Sequence, residues 1–334
     1  MVYLGDALPS YVLDNLNFLK NAFPRVEIVF ISDSEISLKR VKSLEIETWK
    51  CSNPAVSWSL ISNNWSFSRK FRDDFWFKTL ARFYSLYEFM QSHSGVSVLH
   101  IESDVLLLKN FPFEIFENLG NCISYPLKSD HEGIASLLYI SDSLIAQKLI
   151  SYIEDCSEVK ESITDVSILG SFFKDYAELY FPMPSALPVS IDNDQNDSNI
   201  EVDLSRNLEF FGGIFDASSI GIYFTGEDPR NANGFIRLFS RLDHPIPVHD
   251  YIFNFTDSIL SATYKKNTTK VFSLHIHSKD LRLFNIDKSS LRLEYLTKNH
   301  LLGEKLESQG LRTLKIKVWD LIAKTYVKFK LKSF

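Results

Sequence analysis

The chain has 334 residues, of which 45% are hydrophobic, and a formal net charge of −6. This composition predicts a globular protein of one large or two closely packed domains, and its acidic balance argues against general nucleic-acid binding. No apolar run approaches the ~20 residues of a membrane span, and the N-terminal residues lack the features of a signal peptide. Three widely spaced cysteines without a CxxC motif predict a reducing compartment, with no disulfide framework or zinc site.

The first 33 residues predict a β-α-β unit. Residues 2–4 are a short apolar start, residues 13–23 have helical spacing, and residues 26–33 read as a strand ending in Ser-Asp. Such a unit predicts a parallel strand pair. Asp33 then lies at the carboxyl end of its strand, on the side where open α/β sheets bind ligands, although a helix-cap role is an equal alternative.

Further elements follow from hydrophobic periodicity. Residues 75–90 predict a helix on which Lys78 and Arg82, four residues apart, share a face. Arg82 contacts either the acidic segment that follows or a partner on the helix surface. The remaining predicted elements are strands at 96–101, 122–125, 134–140 and 271–277 and helices at 143–153, from 164 and at 217–224. The polar residues 182–199 predict a loop.

The segment 98–108 is an apolar run interrupted by Glu102 and Asp104. Carboxylates are costly to bury unless they are paired or bind a metal. Two of them at positions i and i+2 of a strand end project the same way and can share one hard cation. By the same alternation, His275 and His277 face one side of the late strand, where they form either a satisfied pair at a sheet edge or part of a metal site.

These pieces, in this order, resemble glycosyltransferases of the GT-A fold, especially the glycogenin-like family and bacterial polysaccharide enzymes. The resemblance rests on Glu102-Ser-Asp104, the 164–169 segment and the His-x-His-x-Lys motif at 275–279. It implies an α/β protein with a mostly parallel, Rossmann-like sheet flanked by helices. The implied parts are a catalytic domain at 1–285, comprising a nucleotide-sugar part (1–180), the 182–199 loop and an acceptor-side part (200–285), followed by a basic amphipathic segment at 286–334.

The resemblance also implies a metal site. Its ligands would be Asp104, Glu102 and a histidine, with His277 favoured over His275 because it is nearer Lys279. Oxygen ligands suit Mg²⁺ or Mn²⁺, and an imidazole favours Mn²⁺. The Glu-Ser-Asp sequence departs from the common Asp-x-Asp, which leaves open how Glu102 engages the metal.

Donor and acceptor residues are implied as well. The expected donor-binding side chains are Tyr3, Asp33, Lys78, Arg82 and Lys279. The expected catalytic acids are Asp165, Asp216 and Asp228. The first would contact the donor sugar or the acceptor, with an N-cap role equally open. Either of the other two would act as general base if the enzyme inverts configuration.

The function that follows is a metal-dependent, hexosyltransferase-type enzyme. It would move a sugar from a nucleotide sugar, with UDP as the default, to a glycan or lipid-linked acceptor in bacterial surface polysaccharide or lipopolysaccharide synthesis. We expect a cytoplasmic location. Residues 312–334 carry seven basic residues and one acid, so the C-terminal segment either contacts an anionic membrane or packs on the body with its lysines in water.

Two other functions fit parts of the pattern. A nucleotidyltransferase or sugar-nucleotide pyrophosphorylase needs a similar sheet and metal, but the 5–9 segment is neither glycine-rich nor basic, as such enzymes usually require. A non-catalytic carbohydrate-binding protein would use the many aromatic side chains for stacking on sugars.

Overall fold

The computed structural model describes residues 1–52, 74–159, 163–188, 203–225, 248–277 and 293, which form a mixed α/β structure. The helices are α1 (Ser10–Ala22), α2 (Glu35–Lys42), α3 (Phe75–Ser92), α4 (Phe113–Phe116), α5 (Ser143–Val159), α6 (Asp165–Asp175), α7 (Leu208–Phe211) and α8 (Ser219–Thr225). The strands are β1 (Val29–Ser32), β2 (Glu47–Lys50), β3 (Val98–Ile101), β4 (Val105–Leu107), β5 (Ile123–Ser124), β6 (Leu127–Ser129), β7 (Glu132–Gly133), β8 (Leu137–Ile140), β9 (Gly213–Phe215), β10 (Ile252–Thr256), β11 (Ile259–Tyr264) and β12 (Asn267–His275).

The N-terminal unit confirms the predicted parallel start. Val2 forms a parallel bridge with Ile31, and β1 pairs in parallel with β2. Helix α1 buries Val12 and Leu16 against Phe30 of β1, which is the packing that its hydrophobic spacing predicts.

Most of the other strand pairings are antiparallel, which departs from the expected mostly parallel sheet. Of the eight pairings between described strands, six are antiparallel. Two-residue turns at 257–258 and 265–266 connect β10, β11 and β12, and connections this short permit only antiparallel neighbours. Residues Asp257, Ser258 and Lys265 have positive φ in these turns, as tight hairpins require.

Two sheets meet where the predicted acidic strand ends. Strand β3 pairs with β8 in a three-stranded sheet that helices α3, α5 and α6 cover. Strand β4 instead pairs with β12 in the sheet that also contains β9, β10 and β11. The chain therefore passes from one sheet to the other between Ile101 and Val105.

Some of the predicted residues lie in parts of the chain that the structure does not describe. Asp228, Lys279 and the basic 286–334 segment, apart from Leu293, lie outside the described residues. Within the ranges that are described, no helix is long and apolar enough to cross a membrane. The three cysteines, Cys51, Cys122 and Cys156, are buried free thiols.

Candidate metal centre

The predicted acidic pair lies on a turn and not on a continuous strand. The amide of Val105 donates to the carbonyl of Glu102 at 3.1 Å, which closes a turn over residues 102–105. The amide of Glu102 donates to the carbonyl of Ser136 at 3.0 Å and ties the first residue of the turn to the β3–β8 sheet. The turn carries both carboxylates into the junction between the two sheets.

Strand β12 brings a histidine to this turn. Its last residue, His275, lies opposite Val105 in the antiparallel ladder, and the next amide, of Ile276, donates to the carbonyl of Asp104 at 2.8 Å. The ring nitrogen Nε2 of His275 is 3.3 Å from Oε2 of Glu102 and 3.4 Å from Oδ2 of Asp104. One ligand atom from each of these three residues lies within 4.8 Å of the others, a spacing that one metal ion can bridge.

The histidine of the cluster is His275, whereas the sequence favoured His277. The sequence placed both histidines on one face of a strand by alternation and favoured His277 because it is nearer Lys279. Strand β12 ends at His275, however, and the amide of His277 turns back to donate to the carbonyl of His275 at 3.1 Å. The His277 ring packs against the His275 ring, with centroids 4.2 Å apart.

Arg82 links the acidic pair to helix α6. Its guanidinium forms ion pairs with Oε1 of Glu102 and Oδ2 of Asp165. The Arg82 side chain is only 8% exposed, so the alternative of a surface salt bridge is wrong. Burial lowers the pKa of Arg82, but the adjacent carboxylates of Glu102 and Asp165 outweigh that effect and raise it.

Asp165 belongs to this cluster and does not cap its helix. The cap is Thr164, whose hydroxyl accepts the amide of Ser167 in a capping box. Burial raises the pKa of Asp165, while the charge of Arg82 acts in the opposite direction. Asp165 thus lies across the Arg82 guanidinium from the acidic pair. Its contact with a donor sugar or an acceptor stays a prediction.

Asp216 has a structural environment and does not suit a general base. Its carboxylate accepts the amides of Ile220 at 2.8 Å, Gly221 at 2.7 Å and His275 at 2.9 Å. The residue is 1% exposed, so no acceptor hydroxyl can reach it in this conformation. Burial raises the pKa of Asp216 above its ordinary value, although the three amides that donate to the carboxylate act in the opposite direction. The carboxylate joins helix α8 to the end of β12.

Three of the expected donor side chains, Tyr3, Asp33 and Lys78, lie around the N-terminal loop at residues 5–7. The Tyr3 hydroxyl donates to the carbonyl of Ala7 at 2.7 Å, and Oδ1 of Asp33 accepts the amide of Gly5 at 2.8 Å. Asp33 is not the cap of α2, because the Ser34 side chain fills that position. The Lys78 side chain passes over Gly5, whose φ of +111° suits glycine.

Sequence reasoning missed Asn15. This residue of α1 is fully buried, and its side-chain amide donates to the carbonyls of Ser103 and Val105, both at 3.0 Å. The available signal was an amide within the apolar stripe formed by Val12, Leu16 and Leu19. A polar residue on a core-facing helix stripe needs partners elsewhere in the fold.

The chain was also compared with known proteins. No protein-family model matches it, and no curated protein was found to match its sequence. The case for a function therefore depends on the geometry of the cluster formed by Glu102, Asp104 and His275.

Proposed function

We propose that this protein is a metal-dependent glycosyltransferase of the GT-A type. The observation that carries the proposal is the convergence of Glu102, Asp104 and His275 at the junction of two sheets, with ligand atoms close enough to share one ion. His275 is about 170 residues from the acidic pair in the sequence, and its approach follows from the β4–β12 pairing. The order of elements that resembles the GT-A fold gives the proposal its enzyme class.

The charges of the cluster favour a bound cation. The carboxyl groups of Glu102 and Asp165 pair with one guanidinium, that of Arg82, and the carboxyl group of Asp104 lies beside His275 in the same cluster. Partly buried like charges repel, and a divalent cation would offset that repulsion. Two carboxylates with one imidazole suit Mn²⁺, with Mg²⁺ as the alternative.

A metal held by three protein ligands can also bind a substrate. Its remaining coordination positions would accept oxygens of a nucleotide-sugar diphosphate, and the ion would stabilise the negative charge that develops as the sugar departs. We assign UDP as the default nucleotide from the family resemblance. The loop at residues 5–7, with Tyr3, Asp33 and Lys78, is the proposed nucleoside side, and Lys279 is a proposed phosphate contact.

The acceptor and setting are proposed from the same resemblance. The acceptor would be a glycan or a lipid-linked sugar of a bacterial surface polysaccharide or lipopolysaccharide. The reaction would take place in the cytoplasm. The basic 286–334 segment would hold the enzyme on an anionic membrane surface.

Calorimetric titration with UDP, GDP and CMP, each with and without Mn²⁺, tests the proposal. We expect one of these nucleotides to bind only in the presence of metal and Asp104→Asn to weaken that binding at least about tenfold. The matched control is Asp257→Asn, which removes the same charge from an exposed turn and should bind like the wild type.

Other outcomes would favour the alternatives. Binding of a nucleoside triphosphate together with a sugar phosphate would favour a pyrophosphorylase. A folded protein that binds none of the nucleotides, with or without Mn²⁺, would contradict the glycosyltransferase proposal and favour a non-catalytic carbohydrate-binding protein.

A further inference from the structure

Asn15 contacts the acidic turn on both sides of Asp104. Its Nδ2 atom carries two hydrogens, and the structure gives each an acceptor: the carbonyl of Ser103 before Asp104 and the carbonyl of Val105 after it. Both donor–acceptor distances are 3.0 Å, within the normal range for N–H···O bonds. One side chain from α1 therefore bridges the carbonyl groups of the two residues that flank a proposed metal ligand.

The position of Asn15 in its helix makes an amide an unexpected choice. Val12, Leu16 and Leu19 are buried on the same helix, and Asn15 itself is 0% exposed. No described residue donates to its Oδ1 atom, so the amide is buried with part of its hydrogen-bonding capacity unused. Such a group costs free energy that a leucine would not cost. In return for this cost, Asn15 provides its two hydrogen bonds to the turn.

A second contact holds Asp104 from the opposite side. The carbonyl of Asp104 accepts the amide of Ile276 from β12, while the Asn15 amide holds the two neighbouring carbonyls. Three consecutive carbonyl groups, from Ser103 to Val105, are thus fixed by side-chain or backbone donors. With its backbone held in this way, Asp104 directs Oδ2 toward Nε2 of His275, 3.4 Å away.

We propose that Asn15 is a positioning residue of the metal centre. The inference depends on the metal site proposed above. Asn15 does not touch the metal. It holds the turn so that Asp104 meets Glu102 and His275 in a geometry prepared for one ion before that ion arrives. Groups that orient metal ligands commonly change metal affinity by 10- to 100-fold when they are removed.

The test is the affinity for Mn²⁺ alone, measured from the electron paramagnetic resonance signal of free Mn²⁺. Asn15→Leu replaces the amide with an apolar side chain that has the same number of non-hydrogen atoms, and Asn15→Ala removes the amide without adding bulk to the site. We expect both variants to bind Mn²⁺ roughly 10- to 100-fold more weakly than the wild type. We also expect the spectrum of the bound ion to broaden, because the ligand geometry becomes less uniform.

A matched control separates positioning from general loss of stability. Leu16→Ala changes the next residue of α1, which is equally buried but packs against Val12 and Phe30, away from the acidic turn. It should lower the melting temperature, because it leaves a cavity in the core cluster of Leu16. Mn²⁺ affinity should stay within about threefold of the wild type, because that cluster does not include the acidic turn. Wild-type Mn²⁺ affinity in either folded Asn15 variant would overturn the inference.

The same titration distinguishes this inference from the proposed function. If wild-type protein and Asp104→Asn bind Mn²⁺ equally weakly, the metal centre itself is wrong. If the wild type binds Mn²⁺ and Asp104→Asn does not, the metal centre stands, and the Asn15 variants alone decide whether the amide positions it.

Discussion

At the scale of single residues, the length of the Glu102 side chain accounts for the unusual Glu-Ser-Asp sequence. Its two carboxylate oxygens have different neighbours: Oε1 pairs with Arg82 and Oε2 lies 3.3 Å from Nε2 of His275. An aspartate at this position would be one methylene shorter and could not span both neighbours without moving the turn. Glu102 can therefore be a metal ligand and a partner of the guanidinium at the same time.

Arg82 should be important for folding as well as for the site. Arg82→Met removes the cation and leaves Glu102 and Asp165 as partly buried carboxylates without their shared partner. Loss of one member of a buried ionic group typically costs 3–5 kcal/mol, and we expect a decrease in the free energy of unfolding of about that size. Urea denaturation measures it.

The control for this prediction is a double-mutant cycle with Asp165→Asn. If Asp165 is destabilising mainly when Arg82 is absent, the double variant will be more stable than the sum of the single losses predicts. Strictly additive losses would show that the two side chains do not interact as the structure describes.

At the scale of elements, the site depends on the close approach of α8 to β12. Gly221 lies in the first turn of α8, and a β-carbon at this position would overlap the carbonyl oxygen of His275. The amides of Gly221 and His275 both donate to Oδ2 of Asp216. Helix α8, Asp216 and the end of strand β12 thus pack as one unit. A displacement of α8 must therefore also displace the backbone of His275.

Gly221→Ala tests this packing. The added methyl should force α8 away from β12 and lower the free energy of unfolding by about 1–3 kcal/mol, the usual cost of overpacking. Because His275 moves with the contact, Mn²⁺ affinity should fall as well. Chemical denaturation and Mn²⁺ titration provide the two measurements.

Gly120→Ala is the matched control, since nothing lies within 4 Å of a β-carbon there and its φ is not in the left-handed region. Its free energy of unfolding should stay within about 0.5 kcal/mol of the wild type. A Gly221→Ala protein that behaves like this control would contradict the proposed coupling between α8 and His275.

Local pattern predicted the elements better than their pairing. Hydrophobic spacing located helix α3 and the strand that leads to the acidic pair, because both signals lie within a few neighbouring residues. His277 was favoured over His275 because it is nearer Lys279 in the sequence, whereas the ladder of β12 with β4, a contact across about 170 residues, is what brings His275 to the acidic pair. Asn15 was missed for the same reason, since its partners lie 88 and 90 residues away.

At the scale of the whole molecule, the candidate site joins parts of the fold that pack in different cores. Asn15 from α1, Arg82 from α3 and His275 from β12 contact the turn between the two sheets, and Asp165 from α6 joins them through its ion pair with Arg82. An ion bound there would connect both sheets at once. Metal binding should consequently act on global stability and not only on the local turn.

This arrangement predicts that Asp104→Asn changes stability in opposite ways without and with metal. Without metal, Asp104 adds a second carboxyl group beside that of Glu102, so its neutralisation should leave the free energy of unfolding unchanged or raise it by up to about 1 kcal/mol. With Mn²⁺ at 100 times its dissociation constant, the wild type should gain about 2.7 kcal/mol and the variant little. Urea denaturation in EDTA and in Mn²⁺, with Asp257→Asn as the control for charge alone, measures both effects. A metal-free Asp104→Asn protein that is less stable than the wild type by more than about 2 kcal/mol would mean that the carboxylate maintains the fold. If instead the variant is at least as stable as the wild type in EDTA and less stable in Mn²⁺, the carboxylate at the sheet junction serves to bind the ion.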